Sequence, residues 1–190
     1  MSLLETSEAL QERANTLLRN TGLEEFLSHF GEVHFTGAYA GNVMMHGDID
    51  ISVVRSEPFT IDEIFEIFRK LYFEGKFRSY FISGDWDDPR KGDEFPKGYY
   101  IGLKEKLNGE RWKIDIWFVG EEEYKRRDGE FQINKITLTT KQKENILRLK
   151  KERNEQHLSI SGQTIYRSVI EKGVSTLDEV IRDSKNTLPE

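Results

Sequence analysis

The chain has 190 residues and a mass of 22.3 kDa, with 28 Lys and Arg against 34 Asp and Glu, a net charge of −6. That length suits one domain with a small appendage and buries enough surface for a core without staples; the absence of cysteine excludes disulfide scaffolds, thiolate zinc sites and cysteine nucleophiles. The acidic balance disfavours long nucleic acid as a partner, and no apolar run has the length of a membrane span or the flanks of a secretory signal, so a cytoplasmic globular protein is expected.

Residues 3–30 have helical periodicity, with Leu3, Leu10, Ala14, Leu17 and Leu18 on one face and Gly22 as an interruption. Ser2 and Glu5 have the spacing of a capping box. A short extended segment over 33–35 leads into the small-residue stretch Gly37-Ala38-Tyr39-Ala40-Gly41, and the alternation over 48–54 predicts a strand. Thr60 and Glu63 predict the start of a helix whose apolar stripe runs from Ile61 through Phe68 to Tyr72. Segments 77–83, 98–104 and 111–119 are rich in β-branched and aromatic residues. Asn108-Gly109 joins the last two as an antiparallel hairpin. Helices are expected over 139–157, 162–172 and 176–185, with Gly173 ending the second. The plan is α+β, with residues 1–120 as a core and 121–190 as a helical region packed on it.

The informative residues lie in Gly47-Asp48-Ile49-Asp50-Ile51. A strand places i and i+2 on one face, so Asp48 and Asp50 point together while Ile49, Ile51 and Val53 point into the core. Aspartate is a poor strand residue, and two like charges side by side repel. A solvated face would more naturally carry Thr, Lys or Glu. Arg111-Trp112-Lys113-Ile114-Asp115-Ile116 repeats the arrangement, with Asp115 opposite in facing to Ile114 and Ile116. If the two strands are neighbours, three carboxylates converge and need a cation, and oxygen-only ligation suits Mg²⁺.

This pattern resembles the nucleotidyltransferase superfamily, the fold of DNA polymerase β, of aminoglycoside and lincosamide nucleotidyltransferases and of small MNT-type antitoxins. Gly37 matches the leading glycine, ten residues separate it from Asp48, Asp48 and Asp50 match the metal-binding pair, and Asp115 matches the third carboxylate. The resemblance covers about residues 30–120 and implies a mixed or antiparallel sheet flanked by helices. It further implies that Asp48, Asp50 and Asp115 hold two Mg²⁺ ions and act catalytically. They would move a nucleoside monophosphate from a nucleoside triphosphate such as ATP to a hydroxyl of a small molecule or protein, releasing pyrophosphate. Gly37, Ala38 and Tyr39 fall in the donor-binding segment. Ala38 stands where the family carries serine, which opens a second reading: a catalytically inactive, antitoxin-like module that binds a partner protein.

Arg90 and Lys91, in a polar loop over 84–93, are candidates to clamp phosphates, and His46 is placed to line a cleft. The stretch 141–153 carries Lys141, Lys143, Arg148, Lys150, Lys151 and Arg153 against Glu144 and Glu152. It is either a solvated helix face or a surface for a triphosphate or a short nucleic acid. Tyr39 and Trp117 are candidates to flank a base. The two terminal helices lack the basic excess of a DNA-reading helix pair.

Overall fold

A computed structural model describes residues 1–83, 96–107, 109–128 and 133–186. Arg90, Lys91 and Asn108 lie outside the described residues. The first helical stretch forms as α1 (Leu3–Thr21) and α2 (Leu23–Ser28). Ser2 makes the expected capping box with Glu5, and Gly22 divides the helices in a left-handed conformation at φ 61°. Thr60 and Glu63 cap α4 (Ile61–Glu74) in the same way, each cap satisfying amide groups that the first turn leaves without partners.

The strands are β1 (Glu32–Thr36), β2 (Gly47–Arg55), β3 (Ser79–Ser83), β4 (Gly98–Leu107) and β5 (Glu110–Gly120). They form one sheet in the order β1-β2-β5-β4-β3. The β4–β5 pair is antiparallel, as the hairpin signal predicted, whereas β2 and β5 run parallel. This is the mixed sheet flanked by helices that the sequence led us to expect. Parallel neighbours need a long crossover, and α4, β3 and β4 supply it.

One face of the sheet is apolar. Ile49, Ile51 and Val53 of β2, Ile114, Ile116 and Phe118 of β5 and Ile101 and Leu103 of β4 are all buried there with Ala14, Leu17, Leu23, Leu27, Ile64 and Leu71 from the first helices. The other face carries the acids and most of the charge. Gly47 sets the level at which β2 meets β5: a Cβ there would lie 2.7 Å from the Arg111 carbonyl oxygen and 2.8 Å from the Trp112 ring.

A second apolar cluster gathers α6 (Thr140–Glu155), α7 (Gly162–Lys172) and α8 (Leu177–Asn186) around Ile146, Leu149, Ile165, Tyr166 and Val180. It reaches back across the chain, because Val43 belongs to it and Leu3, Leu4 and Met45 pack against it. Three short helical pieces were absent from the sequence-derived plan: α3 (Gly37–Ala40), α5 (Glu121–Asp128) and a 3-10 turn at Ile133–Lys135. Each is too short for a helical period to show. Among the described residues no helix is long and apolar enough to cross a membrane.

Gly47→Ala should therefore cost about 1–3 kcal/mol in denaturant unfolding, because the added methyl meets backbone and a buried indole rather than a flexible tip. An unchanged midpoint would show that β2 can shift against β5.

Candidate active site

The β2–β5 register pairs Asp48 with Lys113 and Asp50 with Asp115, and the β1–β2 register pairs Thr36 with Asp50. All of these side chains stand on the face opposite the aliphatic core, as the period of two requires. The three carboxylates converge: one oxygen from each of Asp48, Asp50 and Asp115 lies within 4.8 Å of the others. This meets the condition the sequence reading had set, since the two acidic strands are direct neighbours.

The site is electrostatically tense. Burial, reinforced by the charges of Asp48 and Asp115, pushes the Asp50 carboxyl up to about 7. Burial also acts on Asp48, but His46 and the Lys113 and Lys150 charges outweigh it and hold that carboxyl below its usual value. His46 Nε2 lies 3.8 Å from Asp48 Oδ2. Asp115 is held from two sides: the Tyr100 hydroxyl donates to Oδ1 at 2.6 Å, and the Lys113 ammonium donates to Oδ2. Gly102 makes the first of these possible, because a Cβ at that position would sit 2.6 Å from the Tyr100 hydroxyl.

The donor set fits a hard divalent cation. Its atoms are all carboxylate oxygens, they converge on one point, and Asp48 Oδ1 is buried with no hydrogen-bond partner. A buried acceptor without a donor is costly, and a bound cation would satisfy it. Gly37 contributes space: its φ is +62°, and a Cβ there would fall 2.2 Å from Asp50 Oδ2.

A cleft of about 370 Å³ opens from the acids toward the C-terminal helices, walled by Thr36, Gly37, Ala38, His46, Asp48, Asp50, Lys150, Arg153, Gln163 and Tyr166, among others. This volume falls in the range of small-ligand pockets. Lys150 is 5% exposed, and its ammonium donates to the Val43 carbonyl at 2.9 Å and to the Tyr166 hydroxyl at 3.1 Å. Burial and the neighbouring Arg153 lower its pKa to about 8, against the pull of Asp48 and Asp50. Burial likewise raises the Tyr166 hydroxyl, with the Asp50 charge adding to it.

The sequence candidates divide accordingly. Asp48, Asp50, Gly37, Ala38 and His46 line one cleft, and Asp115 joins the first two at the sheet. Of the basic helix residues, Lys150 and Arg153 reach the cleft. Tyr39 turns away from the acids, donating its hydroxyl to Asn15 Oδ1 at 3.0 Å and packing its ring on Phe35. Trp117 stands on the acidic face beside Tyr100, with ring centroids 5.1 Å apart. Tyr100, Lys113, Gly102 and Tyr166 escaped sequence reasoning. The alternation around Asp115 already placed Lys113 on the acid's face, whereas Tyr100 and Tyr166 carried no signal beyond strand or helix character.

Metal-free Asp50 should titrate near 7 in the folded chain against 3.8 unfolded. The native state then binds the extra proton between those values, so this group's contribution to stability declines as pH rises from about 4 to about 7. Asp50→Asn should therefore stabilise the metal-free protein more at pH 8 than at pH 5, by about 2–3 kcal/mol. Unfolding in chelator at both pH values measures this, and an equal effect at both would show that Asp50 is ionised throughout. Mg²⁺ binding should release a proton and strengthen as pH rises through about 7.

No protein-family model matches this chain, and no curated protein matches it in sequence. Solved structures do. A chain in the structure of the non-canonical poly(A) polymerase complex GLD-2–GLD-3 superposes with a TM-score of 0.56 at 12% identity, over 93% of this chain and 61% of that one. The chain thus spans somewhat under two thirds of the length of the polymerase chain it matches. At such low identity the likeness establishes architecture, and the architecture agrees with the sequence motif: the chain has the nucleotidyltransferase fold.

Proposed function

We propose that this chain is a Mg²⁺-dependent nucleotidyltransferase that moves a nucleoside monophosphate from a nucleoside triphosphate to a hydroxyl acceptor. In this reading residues 1–120 are the catalytic core, and the helical region 121–190 closes the donor cleft. The observation that carries it is the convergence of three carboxylates, one with an orphaned buried oxygen, across a cleft from the buried Lys150 ammonium. Carboxylates that repel one another and gain nothing in the core are difficult to explain as packing residues.

Asp48, Asp50 and Asp115 would hold two Mg²⁺ ions, which when bound neutralise phosphate charge and favour the ionised hydroxyl. The protein supplies the rest by position and charge. Lys150 and Arg153 face the acids across the cleft, where the polyphosphate of the donor lies. Gly37, lacking a Cβ, leaves room for close backbone approach. The Thr36 hydroxyl, which makes no capping bond to α3, is in the same wall and offers a hydroxyl where Ala38 has none. The acceptor oxygen bonds to the α-phosphorus, the bond from that phosphorus to the oxygen bridging to the β-phosphate breaks, and pyrophosphate leaves with the electron pair. The proton of the acceptor passes to the Asp115 carboxylate.

Asp115→Asn should lower label transfer from α-³²P-labelled nucleoside triphosphate by two to three orders of magnitude or more, an effect of about 3–4 kcal/mol. Lys150→Met should raise KM for the triphosphate about tenfold while changing kcat less. Calorimetry with a non-hydrolysable ATP or GTP analogue decides against the inactive, partner-binding alternative: Mg²⁺-dependent binding that Asp50→Asn abolishes supports the enzyme. Binding under no condition, with or without metal, would leave Ala38 as the mark of a lost donor site.

A further inference from the structure

The donor cleft uses one side of the acids. On the other side the sheet continues through β5, β4 and β3, and the residues there form ordered rows. Asp115 pairs with Gly102, and Gly102 with Phe81, so the acid, a glycine and a phenylalanine lie abreast. One row below, Lys113 pairs with Lys104, and below that Arg111 pairs with Lys106. One row above, Trp117 pairs with Tyr100.

The four cations share the face of Asp115, all four are exposed, and they form two cross-strand pairs of like charge. Such pairs destabilise a sheet. Among the described residues Lys113 is bonded to Asp115, and none of Lys104, Lys106 and Arg111 is in an ion pair. The hairpin's two other acids do not relieve the rest: Glu105 falls on the other face, opposite Trp112, and Glu110 is 2.9 Å from Arg13. A chain of net charge −6 thus concentrates four cations next to its reactive carboxylate, three of them outside any ion pair among the described residues. The cation rows step along β5 by two residues, about 6.6 Å, comparable to the spacing of successive phosphates along a strand.

The aromatic side of the same face is also poised. Phe81 is 56% exposed on an edge strand, and its ring lies 6.1 Å from Tyr100, which in turn contacts Asp115. Gly102, between Phe81 and Asp115, lies under the Tyr100 ring, so an aromatic surface runs from Phe81 through Tyr100 to the acid. Cations in two successive rows with an exposed ring beside them are the two parts of a single-strand binding surface: charges for phosphates and a platform for a base.

We propose that the Asp115 side of the β3–β4–β5 sheet seats the end of a single nucleic-acid strand, with Lys104, Lys106, Arg111 and Lys113 on its phosphates, Phe81 under a base and its terminal 3′-hydroxyl at Asp115. This rests on the nucleotidyl-transfer reading and names its acceptor. The 3′-oxygen forms the new bond to the α-phosphorus, pyrophosphate departs, and the strand is longer by one nucleotide. The short extent of the cation rows reconciles this with the acidic balance, which weighs against long nucleic acid and leaves a short strand end open.

The test is binding of a fluorescein-labelled RNA of about eight nucleotides, its DNA counterpart and heparin to the full chain, by anisotropy. Four phosphate contacts predict a salt slope of about −2.8, or about 50-fold weaker binding at 200 than at 50 mM salt. Lys106→Gln/Arg111→Gln should halve the slope, to about 7-fold over the same range. Phe81→Ala should weaken the oligonucleotides at least about fivefold and heparin not at all. Both variants should keep the wild-type rise in melting temperature with Mg²⁺ and nucleoside triphosphate, since neither touches the donor cleft. Oligonucleotide binding that neither variant changes, or that heparin matches in every variant, overturns the proposal. So does failure to bind at low salt while the triphosphate still raises the melting temperature; the acceptor is then a small molecule or a protein. If the triphosphate gives no rise in wild type, it is the transfer reading that fails, and the strand titrations still decide the surface.

Discussion

The parallel pairing of β2 with β5, in the register that sets Asp50 beside Asp115, is the constraint on which the rest of the molecule depends. Ile49, Ile51 and Val53 on one strand and Ile114, Ile116 and Phe118 on the other are buried together. Because side chains alternate, a slip of one residue would carry an entire aliphatic row to the solvent face and the acids into the core. Hydrophobic burial on one face therefore holds three mutually repelling carboxylates together on the other. Burial, with that repulsion added to it, displaces the Asp50 carboxyl to about 7, and cations gather around the site.

Those cations are of two kinds, and the difference organises function. Lys150 is buried, fixed by the Val43 carbonyl and the Tyr166 hydroxyl, and faces the acids across a walled cleft. Lys104, Lys106 and Arg111 are exposed, with Lys106 opposite Arg111 and Lys104 opposite Lys113. Lys113 stands between the two groups, bonded to Asp115 and opposite Asp48. A buried charge held by neutral dipoles recognises a ligand of fixed geometry, whereas a row of exposed charges suits a flexible polyanion. The proposed donor and acceptor sides follow from that contrast.

The helical C-terminal third joins the core through contacts that a linear division of the chain obscures. Val43, from the segment between the glycine stretch and β2, is buried in the C-terminal cluster, and its carbonyl accepts from Lys150. Leu3 and Leu4 pack against the same cluster. One buried amine thus links the loop that leads to Asp48 with the helix that walls the cleft. Movement of α6 against the sheet would alter the distance between acids and lysine without disturbing either element internally.

Much of this was legible in the chain itself. Alternation placed Asp48, Asp50 and Asp115 on solvent-facing sides of strands, cap spacings located α1 and α4, and Asn108-Gly109 predicted the β4–β5 pairing. These are properties of near neighbours, fixed by backbone period and turn chemistry. The sequence did not determine that Asp50 and Asp115, 65 positions apart, are register partners, that Lys150 is buried rather than solvated, that Tyr39 turns to Asn15, or that Gly102 makes way for the Tyr100 hydroxyl. Each of those depends on which strands and helices become neighbours. Only the packed core decides that, because the free energy that selects one arrangement comes from apolar surface shared between distant segments.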